Sequence, residues 1–326
     1  MAKARGLEMK LARLRAIRQE DATPEHHAEL RSLLADKSNF AVAEAAEIAG
    51  ERQLITLAPD LVAAFQRFLI DPAETDKLCR AKLTIIEALN KLEYDDDEIF
   101  LTGFRHVQLE AAWGKPEDTA GPLRGASAFG LVRIHYRGVA FLLAELLADP
   151  EKVARQNAAQ ALGALGSEAA IVLLRFKAQA GDKEPEVIGD CLTALMTAEP
   201  KESLAFVGEF LKSRGEGIAE GAALAIAESR TLEALEILKG HWPAARNRPL
   251  QNVLLLAISI TRQSAAIDFL LEILGSKDEG AVSAALSALA IYKHNPSVRE
   301  RIEAIVKHQR HRALREGFVR TFSEKD

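Results

Sequence analysis

The amino-acid sequence predicts an all-α protein, a right-handed α-solenoid of about eight helical hairpins. Three observations predict this fold class. The 326 residues exceed the usual size of a single hydrophobic core. Aromatic residues make up only 6% of the chain, which argues against a β-sandwich. A pattern of small and large apolar residues recurs every 31 to 33 residues, as in helical repeats.

The repeat is defined by a small residue followed by a large apolar one. These pairs are Ala128-Phe129, Ala161-Leu162, Ala194-Leu195, Ala225-Ile226, Ala257-Ile258 and Ala288-Leu289. The intervals between the alanines are 33, 33, 31, 32 and 31 residues. Thirteen positions after each alanine stands a large apolar residue, displaced by one position in the last unit: Phe141, Leu174, Val207, Leu238, Leu270 and Ile302. A register kept over five periods predicts a repeat.

Each period contains two helices. In the clearest unit, apolar residues at helical spacing run from Val153 to Leu165, "GSE" interrupts them, and the spacing resumes from Ala169 to Phe176. We expect the small residues to let the first helix approach its neighbour closely, while the large residues of the second helix fill the space between layers. Because one hairpin cannot bury its own apolar face, the units are expected to stack.

The pattern continues upstream with less regularity. Residues 79–92 indicate one earlier hairpin, residues 40–50 and 57–70 indicate another, and residues 24–36 a leading helix. The stretch "LEAAWGKPEDTAGPLRG" (109–125) interrupts the register as an insertion. We therefore expect a basic N-terminal capping helix at 1–22, a repeat array at 23–306 that contains this insertion, and a basic C-terminal helix or tail at 307–326.

The stretch "DPEKVARQNAAQALGALGSEAA" (149–170) resembles the HEAT-repeat superfamily, especially the short HEAT-like units of phycobilisome lyases, in its Asp-Pro, Arg, Ala-Ala and Ala-Leu-Gly pattern. The resemblance implies that Asp149 and Arg155 belong to a ladder of hydrogen bonds between neighbouring units. Asp182 matches Asp149 in the next unit, but Ile188 stands where the arginine would be, so an interrupted ladder is expected there. Members of this superfamily range from scaffolds to lyases and DNA-repair enzymes.

Motifs that carry chemistry are absent from the sequence. It contains no nucleophile elbow, phosphate-binding loop or dinucleotide fingerprint, and its histidines lack zinc-ligand spacing. The run "EYDDDE" (93–98) lacks the glycine and closing glutamate of an EF-hand, which favours a solvated loop that caps a helix. Cys79 and Cys191 lie in apolar helical patterns and are expected to be buried thiols. We therefore expect no catalytic residue, no cofactor and no metal, and a chain that is not an enzyme.

Cysteine content, apolar segments and charge predict the location of the chain and the class of its partner. The N-terminus has no apolar signal region, no 18-residue apolar run exists, and unpaired cysteines suit a reducing compartment, so a cytoplasmic protein is expected. Both ends are basic, which would suit nucleic acid, but a capping helix with a solvated basic face explains the N-terminal patch equally well. With a net charge of −5, the sequence favours a protein partner over nucleic acid or a membrane.

The insertion is the best candidate for binding a partner. Trp113, one of two tryptophans, stands close to Glu117 and Asp118, and Arg124 follows. Aromatic residues in such segments often make the central contacts of interfaces. The alternative is that Trp113 folds back to fill a gap between two misaligned repeats.

The function expected is that of a scaffold without catalysis, which binds a protein through the concave face of the solenoid and through the 109–125 segment. The alternative is a HEAT-like nucleic-acid-binding protein, or a lyase or DNA-repair-type enzyme, with a basic groove. A lyase would require a carboxylate or thiol exposed in an apolar groove.

Overall fold

A computed structural model describes residues 2–21, 23–215, 217–308 and 312–322 of the chain. The chain forms two compact units, Met1–Ala161 and Leu162–Asp326, so that the boundary falls inside one helix. None of the described helices is both long enough and apolar enough to span a membrane.

The first unit is helical apart from one short hairpin of strands. Its helices are α1 (Ala2–Gln19), α2 (Pro24–Leu34), α3 (Asn39–Glu51), α4 (Ala58–Arg67), α5 (Pro72–Thr75), α6 (Arg80–Lys91), α7 (Asp97–Arg105), α8 (Gly121–Arg133), α9 (Val139–Leu146) and the first part of α10 (Lys152–Leu165). Its strands are β1 (Leu109–Glu110) and β2 (Glu117–Asp118). Short 3₁₀ turns lie at Ile55–Leu57 and Lys77–Cys79.

The described residues of the second unit form helices joined by short connections, and none of them forms a strand. After the end of α10, its helices are α11 (Glu168–Ala180), α12 (Pro185–Ala198), α13 (Pro200–Glu209), α14 (Ile218–Glu228), α15 (Leu232–His241), α16 (Arg248–Ile260), α17 (Ser264–Leu274), α18 (Glu279–Leu289), α19 (Pro296–His308) and α20 (Arg312–Phe322). Two 3₁₀ turns, Phe210–Lys212 and Ala290–Tyr292, extend α13 and α18.

The segments between helices contain residues that cap the start of the next helix, as their residue types predict. Side chains of Ser167, Thr231 and Asn247 accept hydrogen bonds from backbone N–H groups in the first turns of α11, α15 and α16. Pro185 is the first residue of α12, where its missing N–H costs no helical hydrogen bond. In the acidic run at 93–98, the Asp96 side chain caps α7.

Alternate helices pack side by side through the small residues of the repeat. In the second unit α12 contacts α14, α14 contacts α16, and α16 contacts α18; in the first unit α3 contacts α6 and α6 contacts α8. All six alanines that define the repeat are at most 5% exposed. A Cβ atom added at Gly163 would lie only 2.9 Å from the Cβ of Ala194. Small residues therefore set the spacing of the first helices.

The large residues of the second helices are buried with one exception. Leu174, Val207, Leu238, Leu270 and Ile302 are fully buried, as the pattern predicts. Phe141, in contrast, is 79% exposed, and Leu143 is buried in its place. The short α9 starts directly after Gly138, which has a φ of 83°, and it packs against α8 with the face that contains Leu143 buried.

These features confirm the predicted all-α solenoid class of helical hairpins. The helix α1 covers most of the predicted basic cap, whose residues 1 and 22 lie outside the described residues. The predicted C-terminal segment contains the end of α19 and the helix α20, while residues 309–311 and 323–326 lie outside the described residues. The boundaries at 22/23 and 306/307 stay predictions.

Candidate functional site in the insertion after α7

The insertion begins as a two-stranded hairpin. Strands β1 and β2 pair antiparallel, with Leu109 opposite Asp118 and Glu110 opposite Glu117. The turn between the strands contains Gly114 at a φ of 107°, a backbone conformation that favours glycine. The short hairpin thus presents residues 111–116 as its tip.

The sequence-based boundary of the insertion needs a correction. Residues 121–125 were expected to belong to it, yet they form the first turn of α8. Pro122 lies in this first turn, where its fixed φ suits a helix start. Only the stretch up to residue 120 therefore departs from the helical hairpins.

Asp118 fixes the end of the hairpin. Its Oδ1 atom accepts hydrogen bonds from the backbone N–H groups of Gln108 and Ala120, both at 3.0 Å. Its Oδ2 atom lies 2.7 Å from the Nη1 atom of Arg124. Partial burial raises the pKa of Asp118, but these hydrogen bonds and the charge of Arg124 outweigh it, so the pKa lies below the ordinary value. The carboxylate is therefore held as an anion.

Arg124 joins three segments of the first unit. Its side chain is 6% exposed. Its Nε and Nη2 atoms donate to the two carboxylate oxygens of Asp149, both at 2.8 Å, and Nη1 also donates to the carbonyl oxygen of His106 at 2.9 Å. Burial lowers the pKa of Arg124, and the ion pairs to Asp149 and Asp118 raise it above its usual value. The guanidinium thus links the end of α7, the hairpin and the connection before α10.

Of the other residues assigned to the hydrogen-bond ladder, Arg155 lies in the first turn of α10 and Asp182 in the connection before α12. Arg155 donates from Nη1 to the carbonyl oxygen of Asp149 at 2.8 Å. In the second unit the Nζ atom of Lys177 lies 2.7 Å from a carboxylate oxygen of Asp182. A ladder of such bonds between neighbouring units stays a prediction.

Glu110 holds the hairpin against the segment before α6. Its Oε1 atom accepts hydrogen bonds from the backbone N–H of Leu78 at 2.6 Å, from Nε2 of Gln108 at 2.7 Å and from Oγ1 of Thr119 at 2.8 Å. Burial raises the pKa of Glu110, but the hydrogen bonds from these three donors lower it by more. The pKa of Glu110 therefore lies below its ordinary value.

The segment that Glu110 contacts has an unusual backbone. Leu78 and Cys79 adopt φ angles of 61° and 51°, which cost non-glycine residues roughly 1 kcal/mol or more each. The hydrogen bond to Glu110 helps to maintain this conformation. Burial raises the pKa of the Cys79 thiol to about 11, so it is not activated as a nucleophile.

A fully buried ion pair lies under the same segment. The Nζ atom of Lys82 is 3.1 Å from Oδ2 of Asp76, and neither side chain is exposed. Asp76 also accepts the backbone N–H groups of Ala81 at 2.8 Å and of Lys82 at 3.0 Å. Lys82 donates in addition to the carbonyl oxygen of Phe68 at 3.2 Å. Since both charges are paired and hydrogen-bonded, their burial is tolerated.

Large apolar side chains are exposed around this framework. We define the insertion surface as Ile70, Leu78, Val107, Leu109 and Trp113, which are between 58% exposed and fully exposed. Val107 and Leu109 also line an open cleft of about 430 Å³, whose other wall is formed by residues 71–75 with the carboxylates of Asp71 and Glu74. Apolar residues grouped in this way, with polar neighbours, are typical of interaction sites.

The structure separates the four predicted partner-binding residues into two groups. Trp113 is fully exposed, so it does not fill a gap between repeats, and Glu117 is exposed on β2. Asp118 and Arg124 lie inside and hold the hairpin. Contact of any of the four with a partner stays a prediction.

Sequence reasoning missed two features of the site. One is the set of inward polar residues, Gln108, Glu110 and Thr119, and the other is the apolar group beside Trp113. The alternation of apolar and polar residues from Val107 to Glu110 has the period of a strand and was the available signal.

Three of the six basic residues of α1 form ion pairs within the first unit. Arg13 contacts Glu29 at 2.7 Å, Lys10 contacts Asp36, and Arg18 lies 2.6 Å from Glu47 and within 3.5 Å of two further glutamates. These carboxylates reduce the positive potential that phosphate groups would require. At the other end, Arg310 and His311 lie outside the described residues.

A second groove, between α6 and α8, contains an accessible carboxylate. Glu87 is exposed there beside Leu83, Ala126 and Phe129, in a groove of about 460 Å³. Although the residue is exposed, partial desolvation of its carboxylate by the groove raises the pKa of Glu87 above its ordinary value. The polar side chains of Asn90, Lys91 and Asn157 line the same groove. Among the described residues, no three His, Cys, Asp or Glu side chains are grouped so as to hold a metal ion.

Comparison with known proteins finds similarity in solved structures alone. No family model matches the sequence, and no curated protein matches it. The complex of CpcE and CpcF of phycocyanin lyase from Nostoc sp. PCC7120 is 17% identical, with 76% of this chain and 91% of that chain covered at a TM-score of 0.38. An engineered protein is 15% identical, with 90% and 87% covered at a TM-score of 0.37.

The expectation that this chain is not an enzyme is wrong. The finding against it is that one of the matched structures belongs to a phycocyanin lyase. The resemblance to HEAT-like units of phycobilisome lyases is confirmed for the fold. By its packed helical hairpins, the chain is a helical-repeat protein.

Proposed function

We propose that this chain binds a protein partner at the insertion surface. The observation that carries the proposal is the exposure of five large apolar side chains around a hairpin held by ion pairs and hydrogen bonds. A folded chain that leaves Trp113 fully in water gains nothing from its apolar area until another molecule covers it.

The hairpin is held in place before a partner arrives. Arg124 and Asp118 fix its end, and Glu110 fixes its first strand against Leu78. A surface that is already ordered loses less conformational entropy on binding, which leaves more of the contact energy for affinity.

The cleft beside the hairpin indicates the chemistry of the partner. Val107 and Leu109 offer apolar contacts, while Asp71 and Glu74 supply negative charge on the other wall. The segment that fits is therefore an exposed stretch of a protein with a large apolar side chain next to Lys or Arg. The proposed partner also contacts the surface of the helical repeats. The proposed location of the chain is the cytoplasm. Both cysteines are free thiols, which suits a reducing compartment.

Selection of peptides from a random display library on the full chain tests the proposal. We expect enriched peptides that combine apolar and basic residues, with affinity lowered by roughly 30-fold in Trp113→Ala because a central aromatic contact is lost. Phe141→Ala is the matched control, since Phe141 is equally an exposed aromatic residue but lies on α9.

Both variants should keep the melting temperature of the wild type, because both side chains lie in water. Peptides that bind Trp113→Ala and the wild type equally would show that the insertion surface is not the binding site.

A further inference from the structure

The second unit contains a cleft that the proposed function does not use. It has a volume of about 290 Å³ and lies between the turn that follows α13 and the connection from α15 to α16. Its floor is apolar: Leu211, Leu250 and Leu254 line it and are at most 6% exposed.

Two arginines stand at the edge of this cleft. Both Arg214 and Arg246 line it, and both also line an adjoining cleft of about 470 Å³. Arg246 is held in position because it donates to the carbonyl oxygen of Ser213 and, at 3.4 Å, to that of Gly215. A guanidinium has five N–H donors, and these contacts involve only its two Nη atoms.

Arg214 and Arg246 are the positive groups of the cleft, because the other two basic residues that line it have partners of their own. Lys212 is paired with Glu209 at 2.9 Å, and the Nδ1 atom of His241 donates to the carbonyl oxygen of Ile237 at 2.9 Å. The carboxylate of Glu220 lines the adjoining cleft rather than this one.

The start of α16 adds to the positive potential. Its first residues contribute to both clefts, and the N-terminal end of a helix carries a partial positive charge. The Asn247 side chain already accepts the N–H of Leu250, so the arginines rather than this helix end supply the donors.

We propose that this cleft binds a small organic acid, a carboxylate carried on a compact apolar body. The carboxylate lies between the guanidinium groups of Arg214 and Arg246, whose planar donors match its two oxygens. The apolar body lies on Leu211, Leu250 and Leu254 and displaces water from them. A volume of about 290 Å³ is at the lower end of the range for small-molecule sites, so the body is compact.

Isothermal titration calorimetry of the full chain with three probes tests this site. Benzoate has the charge and the apolar body, benzyl alcohol has only the body, and acetate has only the charge. We expect benzoate to bind at least about tenfold more tightly than either of the others, because only benzoate uses both parts of the cleft. Equal binding of benzoate and benzyl alcohol, or of benzoate and acetate, would overturn the proposal.

Variants assign the binding to the cleft. Arg214→Gln should weaken benzoate binding by about tenfold or more. Arg262→Gln, which changes an exposed arginine that does not line the cleft, should leave binding unchanged. Ala244→Trp should abolish binding by filling the cleft from its exposed edge.

Melting temperatures show that the variants fold. If Arg214→Gln and Arg262→Gln bind benzoate alike, or if Ala244→Trp still binds it, the acid binds elsewhere and the assignment is wrong.

Discussion

Arg124 and Asp149 meet in a two-pronged ion pair, with Nε to Oδ2 and Nη2 to Oδ1 both at 2.8 Å. The remaining side of the guanidinium binds Asp118 at 2.7 Å. One buried cation therefore connects the hairpin of the insertion to the helical repeat in which Asp149 lies. The stability of the first unit and the position of the insertion surface depend on the same residue.

Replacement of Arg124 by Ala should lower the free energy of unfolding by about 3–5 kcal/mol, because two buried carboxylates lose their partner. Denaturant unfolding followed by circular dichroism measures the change. Arg301→Ala is the control: its pair with Asp268, at 2.7 Å, is about half exposed on both sides and should cost less than about 1 kcal/mol. Equal losses in the two variants would contradict the buried role of Arg124.

The stabilisation by Asp118 should disappear in acid. Because the pKa of Asp118 is lower in the folded chain than in the unfolded chain, its contribution is present above the unfolded value of about 3.9 and is lost as the pH falls through the folded value. Melting temperatures of the wild type and Asp118→Asn should therefore differ clearly at pH 6 and begin to converge as the pH falls below about 4. A difference that stays constant from pH 6 to pH 3 would show that the carboxylate charge is not involved.

Two helical glycines should respond to alanine in opposite directions. At Gly163 an added Cβ lies 2.9 Å from the Cβ of Ala194, so Gly163→Ala should destabilise the chain by about 1–3 kcal/mol. At Gly208 no atom lies within 4 Å of the added Cβ, and Gly208→Ala should stabilise by roughly 0.5–1 kcal/mol. Denaturant unfolding of both variants checks the sign. A stabilising Gly163→Ala would show that the first helices have room to spare.

The two residues of the buried ion pair, Asp76 and Lys82, should contribute unequally to the free energy of unfolding. Asp76→Ala leaves the Lys82 ammonium with one carbonyl partner and should cost about 3–5 kcal/mol. Lys82→Met should cost less, because Asp76 keeps the backbone N–H groups of Ala81 and residue 82 and the amide of Asn39. Unfolding free energies of the two variants decide the order, and the reverse order would refute the assigned hydrogen bonds.

The repeat was predictable because it depends on local spacing. Ala161, Ala194 and Ala225 recur at helical positions, and each is buried as expected. The exception at Phe141 was not predictable, because α9 has large apolar residues on more than one face and its packing buries Leu143 instead.

The candidate site was predictable only in part. Trp113 in a Gly- and Pro-containing stretch indicated an exposed turn, and it is one. Glu110 gave no signal by itself, because its partners Leu78 and Thr119 lie 32 and 9 positions away in sequence. The role of Arg124 likewise depends on Asp149, 25 positions away.

The sequence by itself determined the helices, their register and the place where the repeat is interrupted, because these follow from propensities and spacings within some 30 residues. Only the tertiary structure decided which polar residues of the insertion face inward and which apolar residues stay in water. It also decided that Arg214 and Arg246 line one cleft together with three buried leucines. Such arrangements depend on contacts between residues distant in sequence, and these contacts exist only after the helices have packed.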